Sequence, residues 1–447
     1  TITTDGLNKE PGAGNMGTAR RLGAHREIRL KDADAWIFAN KKYGSMDVNQ
    51  LMVSRVRQMS HAIALLETFG PNPRMGFDSL LEYGMHLQGS RNGSDRARQM
   101  FSQLSGDAGR TTGDPRANYL ASAGSWVRSV MTGAKLGGAV LSSLADTATV
   151  GAFAHMAELP ILDTYRENLR MLNPANKVER RAARSLGMAV ATWSGEIISR
   201  FDAGRPFRGT ASKLARLTLN WSGLTGWTDG NRMGFQVIWA DALPRWAQTP
   251  LADVSPARRS ILDRYGIGEA EWALLKDAPT VDFPGREGKV LSLPLMAEMN
   301  APGAREAAVK FMGLITGEAN HAVLEPGVYE RALLLRGTKP GSVEGELLRS
   351  LALFKTFSTS MLTKALPRIW EHGGGGMSSA SMTAAFIVGT TLMGGLGYQL
   401  KQIAKGRNPQ DMKDPRFWVT AMLQGGGLGI FGDFVFADTN RFGGTFI

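Results

Sequence analysis

The sequence predicts a mainly α protein, an extended array of helices with one small β-hairpin near residues 281–293. Apolar residues recur in steps of three and four along long segments, which is the spacing of one helix face. Strand patterns do not alternate with helical ones, as a doubly wound α/β chain would require. With 447 residues, 43% of them apolar, the chain is long enough to bury a large core.

Several helices have clear boundaries. The first follows Asp47, a good N-cap residue, and stops at Gly70-Pro71. Ser255-Pro256 and Asp414-Pro415 each predict a helix start, because a side-chain oxygen caps the first turn and proline fits the first helical position. Residues 344–372 predict one long helix that Pro367 kinks or breaks. The apolar face of the first helix comprises Met52, Val56, Met59, Ile63 and Leu66.

One segment has the pattern of a β-hairpin. Residues 281–283 and 290–293 are strand-like, and Pro284-Gly285 between them is typical of a turn. We therefore expect three regions along the chain. Residues 1–275 form a helical region, 276–300 a connector with the possible hairpin, and 301–447 a second helical region.

The chain is basic, with 52 Lys plus Arg against 40 Asp plus Glu and a net charge of +12. Residues 164–216 hold over half of that excess, with eleven basic and four acidic side chains. Such a surface favours the phosphate backbone of double-stranded DNA or lipid headgroups, although a merely solvated face is the other interpretation. Aromatic residues are sparse in this segment, so stacking of nucleic-acid bases on aromatic side chains is not indicated. The predicted contact residues are Arg180, Arg181, Arg184, Arg200, Arg205 and Arg208.

Residues 373–432 contain two uncharged segments joined by a basic connector. The first has 28 residues, more than the roughly 20 that a helix needs to cross a bilayer. The connector, 401–416, has five basic and two acidic residues. We predict an apolar helical hairpin that associates with a membrane, with burial in a soluble or oligomeric core as the alternative. The residues predicted for helix packing or membrane contact are Ala385, Gly389, Gly394, Gly397 and Trp418.

Motifs with catalytic chemistry are weak. Residues 427–432 match G-x-G-x-x-G, but the preceding segment is helical in pattern, so nucleotide binding is not expected. The six histidines lack the spacing of a metal site, and without cysteine there is no thiolate. Glu196 and Glu298 lie near apolar residues, as a buried general acid of a glycosidase would. We expect no cofactor, no metal and no catalytic residue.

Ten tryptophans are present, and the densest aromatic and glycine cluster begins at Trp221. Trp221, Trp227 and Trp239 lie close together along the chain, with glycines between the first two. Such rings anchor helix junctions while glycine permits close approach. Core packing is the favoured interpretation, and anchoring at a membrane or subunit contact is the alternative.

This cluster resembles the internal virion, or DNA-ejection, proteins of short-tailed bacteriophages and the helical modules of larger phage virion proteins. The resemblance covers roughly residues 120–420, and its motifs are degenerate. The segments that carry it are 135–146, 221–232, 264–267 with Glu271 and Trp272, and 353–357 running on to Arg368.

The resemblance implies a structural protein that is packed inside the virion and leaves with the genome. It then forms an oligomeric conduit with other ejection proteins in the host periplasm and inner membrane. The expected partners are double-stranded DNA, those ejection proteins, the host envelope and further copies of this chain. A cell-wall-degrading virion enzyme and a nucleic-acid-binding module of a larger virion enzyme are the alternatives.

Overall fold

The computed structural model describes residues 30–43, 48–109, 114–135, 143–187, 224–324, 326–352, 356–372, 378–404 and 406–426. These residues are mainly helical and form a single two-stranded antiparallel sheet, which confirms the predicted fold class. Two compact units are present: Thr1–Ser122 with Arg331–Arg349, and Ala123–Glu330 with Ser350–Ile447. Arg200, Arg205, Arg208, Glu196 and the 427–432 motif lie outside the described residues.

The first unit consists of helices from the N-terminal part of the chain together with residues 331–349. Phe69, Phe77 and Phe101 form its aromatic cluster, with ring centroids 5.3 Å apart for Phe69 and Phe101 and 4.3 Å apart for Phe77 and Phe101. The helix predicted after Asp47 is confirmed, but two residues of its apolar face, Met52 and Val56, are more than 60% exposed. The first helices are α1 (Ala33–Tyr43), α2 (Val48–Phe69), α3 (Pro73–Gln88), α4 (Ser94–Leu104) and α5 (Pro115–Lys135).

The second unit holds most of the core and both strands. Its elements before the sheet are α6 (Ala145–Met156), α7 (Ile161–Leu172), α8 (Lys177–Ser185), α9 (Leu224–Trp246), α10 (Pro256–Arg264) and α11 (Glu269–Lys276). Those from the sheet onward are β1 (Thr280–Asp282), β2 (Lys289–Leu291), α12 (Leu293–Ala297) and α13 (Ala304–Ala322). The chain then continues with α14 (Val328–Leu335) and α15 (Val343–Ala352), of which the residues 331–349 belong to the first unit. The last are α16 (Thr356–Ser360), the π-helical Met361–Ala365, α17 (Leu366–His372), α18 (Ser379–Ala404) and α19 (Pro415–Gly425).

Helix α9 is the centre of the second unit, and it is buried around its whole circumference between Thr228 and Leu243. A Cβ on Gly230 would lie 3.0 Å from the Cα of Leu172, and one on Gly234 would lie 2.7 Å from the Cα of Asn168. Since both distances are shorter than a van der Waals contact, glycine at these positions lets α9 pack backbone to backbone on α7. The Trp239 side chain is fully buried, in agreement with a core role for this segment.

The predicted hairpin and helix starts are confirmed. Val281 pairs with Val290 in an antiparallel register. The hydroxyl of Ser255 accepts a hydrogen bond from the backbone N–H of Arg258 at 3.4 Å, and the carboxylate of Asp414 accepts one from Arg416 at 2.9 Å. These bonds satisfy N–H groups that a helix start leaves without partners.

The described parts of the long helix predicted over residues 344–372, which are 344–352 and 356–372, are helical. The helical segment that begins at Thr356 contains a π-helical turn at Met361–Ala365. The backbone N–H of Leu366 donates to the carbonyl of Met361, five residues earlier. Pro367 follows directly and has no N–H to offer to an α-helical partner, so the irregular turn accommodates the proline that the sequence marks.

Candidate functional site

The basic residues predicted for anion contact lie on α8, as far as the structure describes them. Ala183 is fully buried and fixes one face of α8 on the core, which leaves Arg181 and Arg184 exposed on the other. Arg180 is half-buried, and its Nε has no hydrogen-bond partner among the described residues. Arg180 therefore lies only partly on the exposed face of α8.

Lys177 extends this basic face by one turn, because it precedes Arg181 by four residues and is also exposed. Within the described part of the chain, no carboxylate forms an ion pair with Lys177, Arg181 or Arg184. We call these three side chains the α8 basic face. The sequence had indicated two of the three, Arg181 and Arg184.

The predicted apolar hairpin is present as the antiparallel contact of α18 and α19. A Cβ on Gly394 would lie 2.8 Å from the Cα of Gly425 and would overlap the carbonyl of Ala421. A Cβ on Gly395 would lie 3.2 Å from the Phe417 ring. The glycines thus allow the two backbones to touch, as small residues do in tightly packed helix pairs. Gly397 is buried as well, so the packing role predicted for Gly394 and Gly397 agrees with their positions.

Ala385 and Gly389 lie elsewhere on α18. A Cβ on Gly389 would lie 3.5 Å from the Cβ of Ala148, which is ordinary contact, so Gly389 faces α6 and not α19. Ala385 is exposed and lies at the edge of a groove beside α6. The structure therefore does not bring the four small residues onto one packing surface.

One side of α18 carries an apolar stripe that no described residue covers. The stripe consists of Val388, Leu392, Leu396 and Ile403. The first three follow one another at intervals of four residues, and each of the four residues is between 47% and 57% exposed. Among the described residues, α18 is the one helix long and apolar enough to cross a membrane by length and composition. Only 33% of its most apolar window is buried.

The basic connector that joins α18 to α19, residues 401–416, is held by several hydrogen bonds. The amide of Gln399 donates to the carbonyl of Gln410 at 2.7 Å, and the N–H of Gln410 returns a bond to Gln399 at 2.8 Å. The Trp418 indole N–H donates to the carbonyl of Met412 at 2.9 Å. Lys401 is buried and donates to Gln424 at 2.9 Å. Among the described residues of this connector, the exposed cations are Arg407, Lys413 and Arg416.

Two buried ionic networks, which the sequence did not indicate, cross-link the core. Glu318 accepts bonds from the Arg368 guanidinium and, at 2.9 Å, from the Tyr265 hydroxyl. Burial raises the pKa of Glu318 above its usual range, against the opposing effect of Arg368. Burial and the nearby Arg368 charge lower the pKa of His321 to about 4, so this imidazole is neutral at pH 7.

The second network fixes the β-hairpin to the helices. Arg286, in the hairpin turn, binds Asp241 of α9 at 2.7 Å and Glu167 of α7 at 3.3 Å. Both carboxylates are almost fully buried. Burial raises the pKa of Glu167, while Arg170 and Arg286 lower it. Because removal of one partner leaves a buried charge unpaired, these networks hold the fold together.

Of the two glutamates considered for catalysis, Glu298 lies among the described residues. Glu298 is exposed and does not occupy the buried position that a general acid requires. Glu318 is buried, but Arg368 and Tyr265 occupy one of its oxygens. Comparison with protein-family models, with curated proteins and with solved structures finds no match to this chain.

Proposed function

We propose that this chain is a structural phage protein that enters the host envelope, oligomerises and forms part of a conduit for DNA. The observation that carries the proposal is the exposed apolar stripe on α18, which three exposed cations follow along the chain. A long helix that packs on one side only and leaves its apolar stripe uncovered is suited to a lipid or subunit partner.

The charge distribution supports the same function. Arg407, Lys413 and Arg416 lie beyond the C-terminal end of α18, where anionic headgroups would meet a helix that enters the bilayer. The α8 basic face would contact the phosphate backbone of DNA without sequence preference. The chain has no cysteine, so no disulfide would oppose unfolding and refolding during passage through a narrow portal.

The two alternative functions have less support. A lytic enzyme needs an accessible acid in a cleft, and Glu298 and Glu318 do not provide one. A nucleic-acid-binding module of a larger enzyme would use the α8 basic face but would give no role to the α18 stripe.

Flotation of the full chain with phospholipid vesicles tests the proposal. The double variant Val388→Glu/Leu396→Glu places two charges on the stripe, at about 2.5–3.5 kcal/mol each if they reach the bilayer centre. We expect the wild-type chain to float with vesicles that contain phosphatidylglycerol, and the double variant to remain unbound. Leu162→Glu/Val309→Glu is the matched control, because both residues are more than 60% exposed on other helices of the same unit. Equal flotation of the two variants would contradict membrane contact through α18.

A further inference from the structure

A groove of about 570 Å³ lies between α6, α7 and the N-terminal half of α18. Its volume falls in the range of about 300–1,000 Å³ that is typical of ligand sites. The lining is mostly aliphatic and aromatic carbon. Its two hydroxyls are already used, since Tyr165 donates to the carbonyl of Thr147 at 2.8 Å and Thr147 donates to that of Leu144 at 2.5 Å. The His155 ring also lines the groove, and its Nε2 has no hydrogen-bond partner among the described residues. Representative lining residues are Ala148, Gly151, Ile161, Met382, Phe386 and Met393.

The groove is continuous with the apolar stripe of α18, because Leu392 belongs to both. From Met393 to the end of α18 at Ala404 is about 16 Å at the helical rise of 1.5 Å per residue. Half of a hydrocarbon core of about 30 Å is about 15 Å. A lipid whose headgroup meets the exposed cations Arg407, Lys413 and Arg416 would therefore bring the end of its tail to the Met393 end of the groove.

We propose that the groove binds one acyl chain of an anionic membrane phospholipid. The apolar lining removes the tail from water, and the cations of the connector select the negative headgroup. The inference rests on the proposed membrane association for its lipid source. Binding of the acyl chain itself can be measured in solution without a membrane, so the two proposals can fail separately.

The test is a titration of the full chain with cis-parinaric acid, a fluorescent 18-carbon fatty acid. Ala385→Trp and Gly389→Leu each fill the groove from α18, and circular dichroism checks that they fold. Ala384→Trp is the matched control, because Ala384 is exposed on the same helix but does not line the groove. We expect saturable binding of one probe per wild-type chain and per control chain, and at least tenfold weaker binding in both filled variants.

Two outcomes would overturn the proposal: no saturable binding by the wild-type chain, or equal binding by the filled variants and the control. A wild-type chain that is dimeric and binds the probe only after dissociation would assign the groove to a second copy instead. Val388→Glu/Leu396→Glu changes residues outside the groove lining. It should keep its affinity for the probe even where it loses vesicle binding, which separates failure of the groove from failure of membrane association.

Discussion

Replacement of Gly394 by alanine tests the packing of the α18–α19 hairpin. The added methyl group would lie 2.8 Å from the Cα of Gly425 and would overlap the carbonyl of Ala421. Both are backbone atoms, so no side-chain rotation can relieve the clash and the two helices must separate. Overpacking of this kind costs about 1–3 kcal/mol.

An opposing effect must be subtracted, because alanine favours a helix over glycine by about 1 kcal/mol. The expected net result for Gly394→Ala is a loss of up to about 2 kcal/mol in the stability of the hairpin. Gly389→Ala is the matched control on the same helix. Its methyl group would lie 3.5 Å from the Ala148 Cβ, in ordinary contact, so the helix preference acts alone and the variant should gain up to about 1 kcal/mol.

Amide hydrogen exchange is the suitable assay, since it reports the opening free energy of individual segments in a chain that forms two units. Protection of the amides in α18 and α19 should fall in Gly394→Ala and should be kept or increased in Gly389→Ala. Equal or increased protection in both variants would refute the close backbone contact and, with it, the hairpin geometry.

Two further predictions concern His321 and the α8 basic face. The pKa of His321 is lowered from 6.5 to about 4, so the stability due to its neutral form is present above pH 6.5 and is lost as the pH falls towards 4. Urea unfolding should show the wild-type chain losing stability relative to His321→Gln over that interval, and parallel curves would contradict this. Charge reversal of the basic segment should weaken binding to double-stranded DNA and flatten its salt dependence, whereas a charge-matched reversal of other exposed cations should not. The test variant changes Lys177, Arg181 and Arg184 to Glu, and the control changes the exposed Lys276, Lys289 and Arg305 to Glu. Equal affinities, measured by fluorescence anisotropy, would mean that the α8 basic face is only solvated.

Local features of this fold were predictable because their causes are local. Ser255-Pro256 and Asp414-Pro415 start helices through their own side chains, and the strand pattern at 281–293 specifies its pairing through nearby residues. Gly394 and Gly397 indicated a close helix contact, because small residues in an apolar helix allow a neighbouring backbone to approach.

Features that depend on distant partners were not predictable. Arg368 and Glu318 are 50 residues apart, and Arg286 and Glu167 are 119 apart, and periodicity does not specify which charges meet. The same limit applies to α18, where spacing identifies an apolar helix but not the side that α6 and α19 cover. The groove follows from that arrangement, so no pattern within one segment indicates it.

If the chain is a phage ejection protein, as proposed above, genome delivery by particles that lack it is the most direct test. Such particles are expected to adsorb to the host at the normal rate but to retain their DNA, and wild-type protein should restore delivery. Restoration should fail with Val388→Glu/Leu396→Glu and succeed with Leu162→Glu/Val309→Glu. Normal DNA delivery by particles without the protein would contradict the account.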